Sequence, residues 1–210
     1  MQTRVKLWPM NAELGLRERK KLERRAAIES AALDLFEEHG FDGTTTEQIA
    51  ARADIAPRTF FLYFPTKEDV VLADYAQRLD RIVEELGSRP ADERPWDALR
   101  ASLLVVASDY EHERSALIRR FSIMTTNPSV FARSLALQAG WEDTLSAVIA
   151  ERIGSGYDDG GITARLLASA ALAAMRSAIQ HWVISGHHEA LPDLLTSCFD
   201  QLASGLADVR

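Results

Sequence analysis

Apolar residues fall three and four positions apart along most of this chain and rarely alternate. That spacing gathers them on one side of a helix, whereas a half-buried strand needs a period of two. Between residues 18 and 39, Leu22, Ile28, Ala32, Leu35 and Phe36 keep the helical interval, and Glu and Arg fill the other face. Val and Ile are scattered, and no strand, glycine loop and helix follow one another as a phosphate-binding α/β enzyme requires. The expected fold class is all-α. A length of 210 residues with 47% hydrophobic content suits one large domain or two small ones.

Punctuation divides the pattern. Gly40 follows His39 as a helix stop, and Phe41-Asp42-Gly43 makes a turn. Thr45 with Gln48, and Thr44 with Glu47, fit the capping-box spacing, so a short helix starts there and ends near Ala53. Asp54-Ile55-Ala56 is a turn, with Asp54 tolerant of a left-handed backbone. Pro57 opens a further helix that Pro65 stops near Phe64. Thr66 caps the next, with Asp69 three residues on, and this helix is expected to run through Val70, Leu72, Tyr75, Leu79, Ile82 and Leu86 to a stop at Gly87–Pro90. Helical patterns then cover about 95–112, 114–125, 128–153, 162–185 and 191–207. The breaks fall at His112-Glu113, Asn127-Pro128, Gly154–Gly161 and Gly186–His188.

The formal net charge is −7, but its distribution is uneven. Residues 1–67 hold 11 Lys/Arg against 10 Asp/Glu, and the remainder holds 13 against 21. Arg17 to Arg25 carries six basic and two acidic residues. A relatively basic end on an acidic body suits an anionic partner met at one end only, although a solvated helix face gives the same run. Two short helices joined by a tight turn within 45–64 have the arithmetic of a helix-turn-helix. Ile49, Ala50 and Ala53 face inward, and the small alanines let the second helix cross closely. Arg58 and Thr59 at the start of the second helix are suited to donate to base edges or phosphates in a major groove. An ordinary αα corner has the same spacing, so residue types must decide. Of the four aromatics in this segment, Phe60 and Phe64, one turn apart, are expected inside, and Phe61 and Tyr63 outside.

Those types are informative. Gly40-Phe41 with Thr44-Thr45, then Ile49-Ala50 with Ala53, then Thr59-Phe60-Phe61 with Tyr63-Phe64-Pro65-Thr66-Lys67-Glu68, resemble the TetR family of bacterial transcriptional regulators. The resemblance covers about residues 17–70. It implies a flexible arm over 1–16, a three-helix DNA-binding domain over 17–66, and an effector-binding and dimerisation domain over 67–210. Carried over residue by residue, it makes Thr45, Thr46 and Lys67 phosphate contacts and puts Arg58, Thr59, Phe61, Leu62 and Tyr63 at the DNA face, with Arg17 and Lys21 of the basic segment also expected to bind DNA. The chain departs from the family pattern at Phe61 (usually Tyr), at Ala56 (usually a Ser/Thr cap, worth about 1 kcal/mol), at Asp54 (usually Gly) and at Leu62, where a polar base reader is common. Leu62 instead suits a thymine methyl.

One short helix contacts few bases, so two copies on consecutive grooves are implied. The family dimerises through its last two helices. That makes Leu167, Ala171, Ala174, Ala178 and Trp182 of one, and Leu195, Phe199 and Leu202 of the other, the expected interface. It also implies an effector cavity, for which Trp96, Leu103, Tyr110, Phe121, Met124, Trp141 and Met175 are candidate walls, although plain core is the commoner use of such residues. Arg119 and Arg120 are candidates to neutralise an anionic effector. The stretch Pro57–Phe61 with Tyr63–Pro65 is similar to a subgroup answering acyl-CoA-like ligands. No cofactor is expected. Cys198, the single cysteine, excludes an internal disulfide framework and reads as a small apolar side chain. No His-Glu-x-x-His or Gly-x-Ser-x-Gly pattern occurs, and His187-His188-Glu189 reads as a loop, so no enzyme is expected. With no run of about 18 uncharged apolar residues and no signal-peptide core, the expectation is a cytoplasmic regulator that binds double-stranded DNA and no membrane. The alternative is a helical ligand-binding or interaction module without specific DNA binding.

Overall fold

A computed structural model describes residues 15–154, 161–186 and 188–205. Residues 1–14 of the expected arm, most of the loop Gly154–Gly161, His187 and the last positions of the helix expected over 191–207 lie outside these residues, and Leu16, expected in the arm, already belongs to the first helix. The described residues form ten helices and no strand, in two compact units that divide between Val71 and Leu72.

The first unit holds α1 (Leu16–His39), α2 (Thr46–Arg52), α3 (Pro57–Phe60) and α4 (Lys67–Val71). Its core is Ile28, Ala32, Leu35, Phe36, Ile49 and Phe60, all buried. Leu22 proves exposed, because the first turns of α1 extend past the elements that cover the rest of it. Gly40 ends α1 at φ 76°, and a Cβ on Gly43 would meet the His39 carbonyl oxygen at 2.4 Å. Both positions of this turn therefore need glycine. Thr44 is not a cap: its hydroxyl is buried and donates to Leu35 O at 3.1 Å and Gly40 O at 2.8 Å. Thr45 and Gln48 do make the capping box, with bonds of 2.8 and 3.2 Å.

The structure departs from expectation in two helices here. The second motif helix is regular only over Pro57–Phe60, then winds through a turn in which Leu62 N donates to Thr59 O and Tyr63 N to Phe60 O, at 3.2 and 2.9 Å. Ala56 supplies no side-chain cap and Pro65 closes the far end, so neither end favours a longer helix. The helix after Thr66, capped reciprocally with Asp69 as foreseen, ends at Val71. Val70, Val71, Leu72 and Ala73 are all buried, and four successive residues cannot share one helical stripe. The chain turns there instead of continuing to Leu86, and the unit boundary lies five residues past the expected one at 66/67.

The second unit holds α5 (Tyr75–Ser88), α6 (Pro95–His112), α7 (Arg114–Thr126), α8 (Pro128–Ile153), α9 (Ile162–Ile184) and α10 (Leu191–Ser204). Helix α9 is central, packed by α6, α7, α8 and α10. Its run of alanines keeps the surface low, so neighbouring backbones approach closely. By length and composition α9 is apolar enough to cross a membrane, at mean hydropathy 1.3 over its best window, but here its apolar stripe is the core of the unit.

That packing corrects most of the expected interface. Ala171, Ala174, Ala178, Trp182, Leu195 and Phe199 are buried inside their own chain, and Trp96 stacks on Phe199 with ring centroids 4.7 Å apart. Only Leu167 and Leu202 are half-buried. The apolar residues that α9 leaves exposed are Ile162, Leu166 and Ile184, at 70%, 67% and 83% exposure. Trp182→Ala is expected to lower unfolding stability by about 3–5 kcal/mol in urea titration, as large-to-small core changes do. Loss of self-association with an unchanged unfolding midpoint would return Trp182 to an interface.

Candidate nucleic-acid interface and ligand cavity

Helices α2 and α3 meet across Thr-capped and left-handed turns that the local sequence dictates. Asp54 takes φ 53°, and Ile55 N donates to Ala50 O at 3.0 Å, which folds the chain back for Pro57 to start α3. Phe60 and Phe64 are fully buried, 6.0 Å apart at their centroids, and Arg25 of α1 lies 4.9 Å over the Phe64 ring. These two anchors turn the remaining side chains of the segment outward. Arg58, Phe61 and Leu62 are exposed, Leu62 by 81%, and Thr59 and Tyr63 are half-buried.

The cations of this unit divide by use. Arg25 pairs with Glu29 at 3.2 Å, and Arg52 makes a two-pronged pair with Glu38 at 3.1 and 2.7 Å. The Arg52 hydrogen bond holds the Glu38 carboxyl below its ordinary range. Arg17, Lys21 and Arg58 are exposed outside these pairs. Thr45 is exposed with its oxygen committed to the Gln48 amide, and the Thr46 hydroxyl donates to Glu47 Oε2 at 3.3 Å. An exposed carboxylate thus stands beside the two threonines foreseen as phosphate contacts.

Lys67 also differs from the foreseen arrangement. Its ammonium donates to Phe41 O at 2.8 Å and Thr44 O at 3.2 Å and sits 4.3 Å over the Phe41 ring. Two of its three donors are spent on the turn that places α2, which leaves one for the phosphate contact implied by the resemblance. Nothing in local sequence signals this clamp, since its partners lie 26 and 23 residues away. Lys67→Met is expected to cost about 1.5–3 kcal/mol of stability, the range for hydrogen bonds to a charged group. Urea unfolding without DNA measures it; an unchanged midpoint would make Lys67 a surface contact only.

In the second unit a cavity of about 40 Å³ lies among α5, α6, α7, α8 and α9. Four of the foreseen residues meet at its wall: Tyr110, Phe121, Trp141 and Met175. Met124 sits behind it, its sulfur 3.5 Å from the Tyr75 hydroxyl. Leu103 is fully buried and takes no part in the wall, and Trp96 belongs to the α6–α10 contact. Sequence reasoning missed Tyr75, Gln138 and Arg176. The available signal was register: Leu172, Met175, Arg176 and Ile179 fall on one face of α9, and Gln138 and Trp141 on one face of α8.

Burial, with the nearby Asp74 charge, pushes the Tyr75 phenol up to about 12, and side-chain hydrogen bonds with Gln138 and Ser134 pull the other way. Gln138 Oε1 in turn accepts from Arg176 at 3.0 Å. Behind Tyr110, the buried Arg78 is held by Asp74 at 2.6 Å and Glu113 at 2.9 Å and stacks on the Tyr110 ring at 3.9 Å. Burial raises the Tyr110 phenol well above its ordinary value, so both tyrosines are neutral donors.

Comparison with known proteins matches residues 28–73 to the model of bacterial regulatory proteins of the tetR family and residues 93–207 to that of the MftR C-terminal domain. A Mycobacterium tuberculosis protein named for regulating mycofactocin biosynthesis, MftR, is 29% identical over 85% of this chain and 89% of its own length. The HTH-type transcriptional regulator TcmR of Streptomyces glaucescens is 31% identical over 93% of this chain and 90% of its own. Among solved structures, Thermus thermophilus FadR, a transcriptional repressor in complex with lauroyl-CoA, superposes with TM-score 0.57 at 28% identity, covering 89% of this chain and 96% of that one.

Proposed function

The chain belongs to the TetR family of bacterial regulatory proteins and is a helix-turn-helix transcriptional regulator, and from that premise we propose a cytoplasmic, non-enzymatic repressor that binds a palindromic operator as a homodimer and leaves it when a small molecule enters the second unit. The observation that carries the DNA reading is the outward surface of Arg58, Thr59, Phe61, Leu62 and Tyr63, backed by the buried Phe60 and Phe64. Arg58 supplies base or phosphate contacts, Leu62 and Phe61 apolar contacts, and Arg17, Lys21, Thr45, Thr46 and Lys67 flank them. A segment this short needs a second copy about 34–36 Å away to reach useful affinity. The exposed Ile162, Leu166 and Ile184 of α9, with half-buried Leu167 and Leu202, are the surface we assign to that pairing. The effector reading rests on the cavity of α5–α9 and on the lauroyl-CoA complex of the Thermus repressor; we assign to this chain an effector with an acyl body.

Sequencing genomic fragments retained by the purified protein tests this. A palindromic consensus is expected, and Arg58→Ala is expected to relax it at one position per half-site, at about 1–3 kcal/mol per lost base contact. Retention of no fragment above background would favour a helical interaction module instead.

A further inference from the structure

Ten of the cavity's eleven lining side chains are uncharged, and the exception is Arg176. On α9 its only charged companion is Arg165, and that helix has no acidic residue. The hydrogen-bond partner of the Arg176 guanidinium is a neutral amide, Gln138. Several other arginines of this unit are matched by carboxylates, among them Arg78 by Asp74 and Glu113, Arg89 by Glu93 and Arg100 by Asp200. A half-buried cation against an apolar wall, whose partner among the described residues is neutral, keeps part of its desolvation cost uncompensated. An anion in the cavity would offset it. The neighbouring groups suit the same ligand, because Gln138 bridges the region of the Tyr75 hydroxyl and the guanidinium, so neutral and charged donors gather at one end. The rest of the wall is aromatic and aliphatic. Tyr75 lies 5.3 Å from Trp141 at the ring centroids, and Tyr110 meets Phe121 edge-on at 6.1 Å.

We propose that Arg176, braced by Gln138, is the head-group anchor of this cavity, and that the effector is a free carboxylate on an apolar acyl body. The proposal rests on the reading of this cavity as the effector site and names the chemistry of the end that enters against α9. The planar guanidinium presents paired N–H donors that match a carboxylate's two oxygens. A cavity of about 40 Å³ must widen for an acyl chain. Met175 in the wall is a side chain whose unbranched thioether repacks at low cost.

The test titrates the wild-type full-length chain with decanoate, methyl decanoate and decanoyl-CoA, following Trp fluorescence and, in parallel, release of a selected DNA fragment. Decanoate is expected to bind about tenfold or more tightly than its neutral ester. Arg176→Met is expected to erase that difference while leaving the ester's affinity within about threefold. The head-group comparison on wild type stands even if the variant fails to fold. Equal binding of acid and ester, or a response to decanoyl-CoA alone, would overturn the carboxylate assignment and leave the cavity as effector site. No response to any of the three, with DNA binding intact, would overturn the assignment together with the acyl effector reading on which it rests.

Discussion

A four-residue helix cannot hold its own shape in water, because helix formation repays its nucleation cost only over many residues. The reading segment of this protein is built on such a helix, and burial holds it. Phe60 in its middle and Phe64 at its end fasten the segment, Ile49 and Ala50 lie buried on the neighbouring α2, and Arg25 stacks on Phe64. The outward direction of Arg58, Leu62 and Tyr63 follows from where those two phenylalanines go. The turn before α2 is fastened separately, by the Thr44 hydroxyl on two carbonyls and by Lys67 reaching back from α4. The reading segment and the turn before α2 are thus placed by side chains at a distance, and the short helices contribute little stability alone.

The second unit solves a different problem. Six helices must share one core, and α9 makes this possible by being narrow. Alanines at 164, 168, 171, 174 and 178 let α6, α8 and α10 approach, and the larger Met175, Ile179 and Trp182 fill the remaining volume. Where Tyr75, Tyr110, Phe121 and Trp141 converge, the ring geometry is tilted or edge-on, and a small space persists. Arg176 stands at the edge of this packing as the one charge in the wall. The same helix is therefore the centre of the core and one side of the cavity, which ties the shape of any bound molecule to the packing of its neighbours.

Several features were legible from residues alone. The helix stop at Gly40, the Thr45–Gln48 box and the left-handed Asp54 follow from interactions within a few residues, and the one-turn spacing of Phe60 and Phe64 put both on the inner side. The C-terminal helices likewise begin and end within a few positions of their expected bounds. Most of the expected interface failed for a physical reason. A stripe of Ala171, Ala174, Ala178 and Trp182 looks the same on paper whether it meets another copy or the chain's own α8 and α10. The cavity was half legible: aromatic residues at helical spacing pointed to Tyr110, Phe121 and Trp141, but Tyr75, Gln138 and Arg176 gave no local sign of converging.

Local chemistry by itself determined which segments are helical, how most of them are capped, and the family to which the reading head conforms, because caps, turns and apolar periodicity act over three or four residues. Tertiary structure alone decided that Lys67 clamps a turn, that the helix after Thr66 breaks at Val71, that the small-residue face of α9 lies inside, and that one arginine borders an apolar cavity. Each of those outcomes depends on partners tens of residues away, whose meeting is set by how the helices share a limited core.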